Sequence, residues 1–149
     1  MRVYLASGWF TPKQKEVMDK VRNILLQEQF KIFAPYYDGL VVTQENDSSE
    51  IREKTYNLNI KSINECNLVL AVIDDFDPGT IFEMGYASSD PSIDIISYSD
   101  VSGRGLNLML QQASWGFANG EMQLREQLRR YKMGESPAEF LKWEKGDVI

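Results

Sequence analysis

The segment from Leu68 to Ile73 constrains the fold of this chain most, because it is a short, unbroken run of aliphatic residues. A strand with one face in water alternates apolar and polar residues, whereas a run of this kind is typical of a parallel strand that is covered on both faces. Covering both faces of a parallel sheet requires helices on each side of it. The run therefore predicts a central strand in a three-layer α/β domain.

Strand-like and helix-like segments alternate along the rest of the chain. Short apolar segments predict further strands at 3–6, 30–34 and 93–97. Apolar residues at helical spacing, together with capping residues, predict helices at about 12–28, 49–66, 80–87, 106–116, 124–133 and 137–143. The stretch 36–48 has no clear period, and we expect a long loop of the kind that is more often functional than accidental. In such a fold, ligands bind beyond the carboxyl ends of the strands.

Length and charge exclude several kinds of protein. The 149 residues suit one domain over 1–149. The 16 Lys and Arg against 22 Asp and Glu give a net charge of −6, which argues against a nucleic-acid polymer as partner. No apolar run is long enough to span a membrane, and the first strand follows Met1 without a signal peptide. We therefore expect a cytoplasmic protein without a membrane partner.

The residue types that are missing or rare restrict the chemistry further. The chain contains no histidine, which excludes a histidine base, triad or metal ligand. Its single cysteine, Cys66, allows neither an internal disulfide nor a multi-cysteine zinc site. An enzyme built from this chain must therefore use carboxylates, amides, hydroxyls and aromatic rings.

Two bulky aromatic residues, Trp9 and Phe10, directly follow the first predicted strand. They stand where a dinucleotide-binding loop would need glycines, and no P-loop sequence occurs anywhere in the chain. One interpretation is that both rings pack over the edge of the sheet. The other is a stacking platform for a nucleobase, where each base contact contributes roughly 1–3 kcal/mol.

The loop after the central strand is acidic. Asp74 and Asp75 are most simply solvated or capping residues. A magnesium site built from Asp74, Asp75 and Asp77 is the less favoured alternative, since no further oxygen ligands converge there. Glu83 is expected in the first turn of the next helix, where the helix N-terminus would keep its carboxylate ionised. Its neighbours are apolar or small, so it faces either solvent or a pocket.

Three stretches of these loops resemble the nucleoside 2-deoxyribosyltransferase family, and they occur in family order between about residues 3 and 117. They read YLASGWFT at 4–11, DPGTIFEMGYA at 77–87 and NLM at 107–109. Tyr56-Asn57 also sits where the family often has a similar pair. The resemblance implies a three-layer, flavodoxin-like (Rossmann-like) α/β fold with a mostly parallel sheet of about five strands. It also implies transfer of 2-deoxyribose between nucleobases through a covalent intermediate, without a cofactor or metal.

The resemblance assigns roles to individual residues. Glu83 would be the nucleophile that attacks C1′, Tyr4 would position its carboxylate, and Asp77 would bind the sugar hydroxyls. Trp9 and Phe10 would wall the base site. Further substrate-binding residues would be Gly8, Asn59, Gly79, Asn107 and Met109. The last two would come from a neighbouring subunit, so a homo-oligomer of at least two copies is expected, with a deoxyribonucleoside and a free nucleobase as its substrates.

The chain departs from the family pattern at three places. Asn59 stands where many members carry an aspartate that contacts the base, and an amide cannot transfer a proton at neutral pH. Either another group protonates the leaving base, or Asn59 serves base recognition, or it merely packs. Asn67 also replaces a common aspartate and is interpreted as a structural cap. The chain ends Val148-Ile149, where some members end in an aromatic residue that reaches the site.

Two other functions fit the same fold. A 2′-deoxynucleoside 5′-monophosphate N-glycosidase would need a phosphate cradle, for which Arg104 and Ser7 are the plausible residues. A non-catalytic nucleoside-sensing domain would keep the fold without turnover. Glu83 beside Tyr4 argues against such a domain, because a pure binder has no need of an anionic carboxylate under C1′.

Overall fold

Every strand of the sheet runs parallel to its neighbours in the computed structural model, which describes residues 1–136. The strands are β1 (Arg2–Ala6), β2 (Lys31–Phe33), β3 (Leu68–Val72), β4 (Asp94–Ser99) and β5 (Gly116–Asn119). Their order is β2-β1-β3-β4-β5, which is the flavodoxin-like order and places a topological switch point between β1 and β3. The predicted fold class is confirmed.

Helices cover both faces of this sheet. They are α1 (Pro12–Gln27), α2 (Pro35–Asp38), α3 (Ser49–Asn64), α4 (Pro78–Ser88), α5 (Leu108–Ala113) and α6 (Glu121–Lys132). One core contains α1 and α6, and the other contains residues of α3, α4 and α5. Alternate residues of β1 point to opposite cores, so that Leu5 faces α1 whereas Tyr4 faces α4. All of β3 is buried, as the aliphatic run predicts.

Local capping sets where the first long helix begins. Thr11 accepts a hydrogen bond from the Gln14 amide at 3.1 Å, and the Gln14 side chain accepts one from the Thr11 amide at 3.2 Å. Pro12 occupies the first helical position, where its missing N–H costs nothing. This reciprocal capping fixes α1 against the loop that contains Trp9 and Phe10.

The structure differs from the sequence-based prediction in the region 106–116, which was expected to be one helix. Helix α5 covers only six residues, and the chain then enters β5 at Gly116. The Trp115 amide donates to the Ile95 carbonyl at 2.6 Å, which draws the chain onto the edge of β4. β5 was not predicted, because a strand of four residues next to a helical pattern is too short to show the alternation of a strand.

The predicted loop 36–48 contains one helical turn, α2, at its start. Pro35 takes the first position of this turn, and the Asp38 carboxylate accepts a hydrogen bond from the Ala34 amide at 2.8 Å. The predicted helix at 137–143 lies outside the described residues, as does the Val148-Ile149 end. Within residues 1–136, no helix is both long enough and apolar enough to cross a membrane.

Candidate active site

The centre of the site is a hydrogen bond between Tyr4 on β1 and Glu83 on α4. The Tyr4 hydroxyl donates to Oε1 of Glu83 at 2.7 Å, across 79 positions of sequence. Tyr4 is fully buried, and the ring of Phe33 stacks on it at 5.7 Å between centroids. The sheet therefore fixes the hydroxyl, and the hydroxyl in turn fixes one oxygen of the carboxylate.

Helix α4 presents Glu83 to Tyr4 from its second turn. Asp77 caps this helix by accepting hydrogen bonds from the Thr80 amide at 2.9 Å and the Thr80 hydroxyl at 3.1 Å. Because the helix begins at Pro78, Glu83 lies beyond the first turn that was expected for it. The field of a helix N-terminus falls off within one turn. The expectation that it keeps Glu83 ionised is therefore wrong.

Burial governs the ionisation of Glu83. The pKa of Glu83 is raised to about 7. Removal of water from its surroundings is the largest cause, the hydrogen bond from Tyr4 opposes the shift, and the nearby charge of Asp77 adds to it. Burial also raises the pKa of Tyr4, so its hydroxyl remains a donor. Glu83 is thus a desolvated carboxylate that titrates near neutral pH. The Tyr4 hydroxyl that holds it stays protonated at that pH.

A cavity of about 170 Å³ lies at the switch point between β1 and β3. The loops after β1, β3 and β4 line it, with residues that include Ser7, Gly8, Asp74, Asp75, Asp77 and Asp100. Glu83 is not among its lining residues. Asp77 links the two, since it lines the cavity and its charge acts on the Glu83 carboxylate. At Gly8, a Cβ atom would approach the Gln14 side chain to 3.0 Å, so a glycine suits this wall.

The acidic residues of the third loop divide into different roles. Asp74 accepts hydrogen bonds from the Ser99 hydroxyl and the Asp100 amide, which ties the end of β3 to the end of β4. Asp75 is exposed and Asp77 caps α4. In the described part of the chain, no group of three or more carboxylate or thiol side chains is arranged to hold a metal ion.

The two aromatic residues after β1 have different surroundings. The ring of Trp9 packs against one core and lies 5.8 Å from Tyr36, as the sheet-edge interpretation expected. Phe10 lies 5.2 Å from Trp9 but leaves 72% of its surface exposed. Tyr36 was not singled out from the sequence, although its place directly after a strand was the available signal.

Asn59 and Asn67, two of the three departures from the family pattern, differ in their hydrogen bonding. The Asn67 side chain accepts a hydrogen bond from the Arg2 amide at 2.9 Å, which agrees with a structural cap at the start of β3. Asn59 lies on α3, and its buried Oδ1 atom has no hydrogen-bond partner. An orphaned buried acceptor is uncommon, and a ligand that supplies a donor would satisfy it.

The segment Asn107 to Met109 stands apart from the Tyr4–Glu83 pair. Asn107 caps α5 by accepting a hydrogen bond from the Met109 amide at 2.9 Å, and 74% of Met109 is exposed. Among residues 1–136, no hydrogen bond joins this segment to Tyr4 or Glu83. Gly79 is also exposed, in the first turn of α4. The structure thus brings Tyr4, Glu83 and Asp77 together and leaves the Asn107 segment facing solvent.

Comparison with known proteins identifies relatives of this arrangement. The family model described as nucleoside 2-deoxyribosyltransferase matches residues 3–112. A 2-deoxyribosyltransferase from Bacillus psychrosaccharolyticus has a TM-score of 0.76 and 21% identity, over 84% of this chain and 90% of that one. A conserved protein from Enterococcus faecalis V583 has a TM-score of 0.73 and 15% identity, over 88% and 98%. The CMP N-glycosidase BcmB from Clostridium botulinum has a TM-score of 0.57 and 18% identity, over 89% and 99%.

At these identities the structural likeness shows the fold alone. No protein of curated function matches the chain closely enough in sequence to be compared with it.

The raised pKa of Glu83 predicts a stability change with pH. Between about 4.5 and 7, the folded protein holds a proton that the unfolded chain releases, so a rise in pH through this window destabilises the fold. Glu83→Gln removes the titration and keeps an acceptor for Tyr4. We expect its free energy of unfolding, relative to the unsubstituted chain, to rise by roughly 2–3 kcal/mol between pH 5 and pH 8.

Urea denaturation at the two pH values measures this difference. Glu53→Gln is the control, because Glu53 is exposed on α3 and its substitution is expected to leave the pH dependence unchanged. An equal effect of Glu83→Gln at pH 5 and pH 8 would contradict the raised pKa.

Proposed function

Since the chain belongs to the nucleoside 2-deoxyribosyltransferase family, we propose that it transfers 2-deoxyribose from one nucleobase to another, with Glu83 as the nucleophile. The family implies an enzyme that transfers a glycosyl group or cleaves a glycosidic bond. The observation that carries the finer proposal is a partly buried carboxylate held by the Tyr4 hydroxyl at 2.7 Å. Its pKa near 7 leaves a reactive anion available at neutral pH.

The first half-reaction forms a covalent ester. Oε1 of Glu83 accepts the hydrogen bond from Tyr4, which leaves Oε2 to bond to C1′ of the donor. The C1′–N bond breaks through an oxocarbenium-like transition state, and the departing base keeps the electron pair and takes up a proton. On the side of Oε1, the fixed dipole of the tyrosine hydroxyl takes the place of solvent.

The second half-reaction returns the carboxylate. A ring nitrogen of the acceptor base attacks C1′, the ester bond breaks, and the base loses a proton, so the configuration at C1′ is retained after two inversions. The Tyr4 hydrogen bond stabilises the charge that returns to Glu83. The same ester would be hydrolysed if water replaced the acceptor, so the difference between transfer and hydrolysis lies in what the base site binds.

Asp77 is suited to hold the sugar. Its Oδ2 atom accepts both hydrogen bonds from Thr80, while Oδ1 has no donor among the described residues. A sugar hydroxyl can donate to this free oxygen from the adjoining cavity. The exposed segment Asn107 to Met109 would then serve the site of a second copy of the chain, with Trp9, Phe10 and Asn59 around the base.

The electrostatics of the cavity favour a nucleoside over a nucleotide. Four aspartates and one lysine are among its lining residues, and a second lysine, Lys20, pairs with Asp100 at 2.7 Å. A 5′-phosphate would meet like charge there. The fold similarity to a CMP N-glycosidase keeps nucleotide cleavage as the second candidate, with Ser7 in the lining and the Arg104 guanidinium 4.5 Å above the ring of Phe76.

An assay of products separates these functions. With deoxyadenosine as donor and cytosine as acceptor, we expect deoxycytidine to form, and we expect Glu83→Ala to slow this by at least about a thousandfold because the nucleophile is gone. Glu53→Ala, on the exposed face of α3, is the matched control and should keep the full rate. Free deoxyribose instead of deoxycytidine would indicate a hydrolase of nucleosides. Cleavage only when deoxyadenosine 5′-monophosphate replaces deoxyadenosine would indicate the nucleotide N-glycosidase, and binding of both without any product would indicate a sensing domain.

The orphaned oxygen of Asn59 predicts a change in base selectivity. If the amide pairs with the base edge as both donor and acceptor, Asn59→Asp removes the donor and leaves a buried group unpaired. We expect kcat/KM for the preferred base to fall by up to roughly a hundredfold, since such a loss costs about 1–3 kcal/mol. Steady-state kinetics with adenine, hypoxanthine, cytosine and thymine as acceptors measure it.

Asn23→Asp is the control for this change, because Asn23 lies exposed on α1 and is not one of the residues that carry the family resemblance. A higher rate for bases that are poor leaving groups would assign an acid role to the position instead. A uniform change in kcat/KM of less than about twofold for every base would show that Asn59 does not contact the ligand.

A further inference from the structure

The helical turn α2 is fastened to α1 by the hydroxyl of one residue, Tyr37. This hydroxyl donates to Oδ1 of Asp19 at 2.5 Å and accepts a hydrogen bond from Nζ of Lys15 at 3.1 Å. Lys15 in turn donates to Oδ2 of Asp19 at 2.8 Å. The three polar groups form a closed set in which each contacts the other two, and removal of the hydroxyl breaks both bonds between the two elements.

The ring of Tyr37 makes a second set of contacts to the same helix. The Arg22 guanidinium lies 4.6 Å from the ring centroid and Nζ of Lys15 lies 5.4 Å from it. The Nε atom of Arg22 is buried without a hydrogen-bond partner, so the aromatic face is its neighbour in place of a polar group. Cations over an aromatic ring stabilise such a contact most when they are desolvated.

Tyr37 lies shortly before a long exposed stretch and is itself 44% exposed, so its hydroxyl contacts, rather than burial, hold it to α1. Residues 42–50 are all exposed, and nearly half of Leu40 is exposed as well. In the other direction, a chain of ring contacts leads from Tyr37 to the loop after β1. Tyr37 meets Tyr36 edge-on at 4.9 Å, Tyr36 lies 5.8 Å from Trp9, and Trp9 lies 5.2 Å from Phe10.

We propose that Tyr37 is a positioning residue for nucleobase binding: its hydroxyl anchors α2 to α1, and this anchor holds Tyr36 against Trp9 so that Trp9 and Phe10 form a fixed wall. The proposal rests on the proposed function, in which Trp9 and Phe10 wall the base site. Trp9, Tyr36 and α1 belong to one core of the sheet, whereas Tyr4 and Glu83 belong to the side of α4. A change at Tyr37 therefore affects base binding and spares the chemical step.

The test is Tyr37→Phe, which removes the hydroxyl and keeps the ring over Arg22. We expect KM for the acceptor base to rise about three- to tenfold, the size of effect that loss of one ordinary hydrogen bond produces, because the contacts of the Tyr37 hydroxyl are exposed to solvent, with kcat changed by less than about twofold. We also expect faster amide hydrogen exchange in residues 37–39, whose amides donate to the carbonyls of Ala34 and Pro35. A merely structural role would alter stability without this split between KM and kcat.

Tyr131→Phe is the matched control. Tyr131 also donates to an aspartate, Asp94, at 3.0 Å. This contact lies at the amino-terminal end of the strands, where β4 begins, away from the loops that follow the strands. We expect this variant to keep the KM of the unsubstituted enzyme and the exchange rate of residues 37–39.

Three results would overturn the proposal. Unchanged exchange at residues 37–39 in Tyr37→Phe would show that the hydroxyl is no anchor, whatever the enzyme catalyses. Faster exchange with an unchanged KM would show that the anchor does not serve base binding, and so would a fall in kcat alone. Absence of turnover in the unsubstituted enzyme would contradict the proposed function and not the role of Tyr37. In that case the Kd of adenine, measured by calorimetry, replaces KM in the comparison.

Discussion

The parallel pairing of β1 with β3 is the constraint on which the rest of the site depends. Tyr4 pairs with Val69 and Ala6 with Ala71, so the two strands end together and their loops meet at one edge of the sheet. Tyr4 faces the side on which α4 packs, and α4 begins directly after the β3 loop. A slip of one residue in β1 would turn Tyr4 toward α1 and leave Glu83 without its partner.

The arrangement places a carboxylate where it is costly to ionise. Burial raises the pKa of Glu83 to about 7, and the Tyr4 hydroxyl offsets part of that cost while Asp77 adds to it. Such a group destabilises the folded protein above its pKa and is reactive for the same reason, because few water molecules surround it. The burial that makes Glu83 a better nucleophile therefore also lowers the stability of the folded protein at neutral pH.

The sequence predicts most of the fold and only part of the site. The β3 run and the Thr11 cap are strong local signals, and the structure has both elements where they were expected. The short strand β5 was not predicted, because its position depends on hydrogen bonding to β4. The family resemblance suggested that Tyr4 positions the Glu83 carboxylate, but the pKa of Glu83 depends on tertiary burial, which spacing cannot reveal. The same holds for the contact between Tyr37 and Asp19, which are 18 residues apart on different elements.

The central claim is that Glu83 forms an ester with deoxyribose, and mass spectrometry of the quenched enzyme tests it most directly. The enzyme is mixed with deoxyadenosine in the absence of an acceptor base, denatured in acid within the first turnover and digested. The account predicts a deoxyribosyl adduct on the peptide that contains Glu83, and none on the same peptide from Glu83→Gln. An enzyme that turns over while this peptide stays unmodified, or an adduct on another carboxylate, would contradict it.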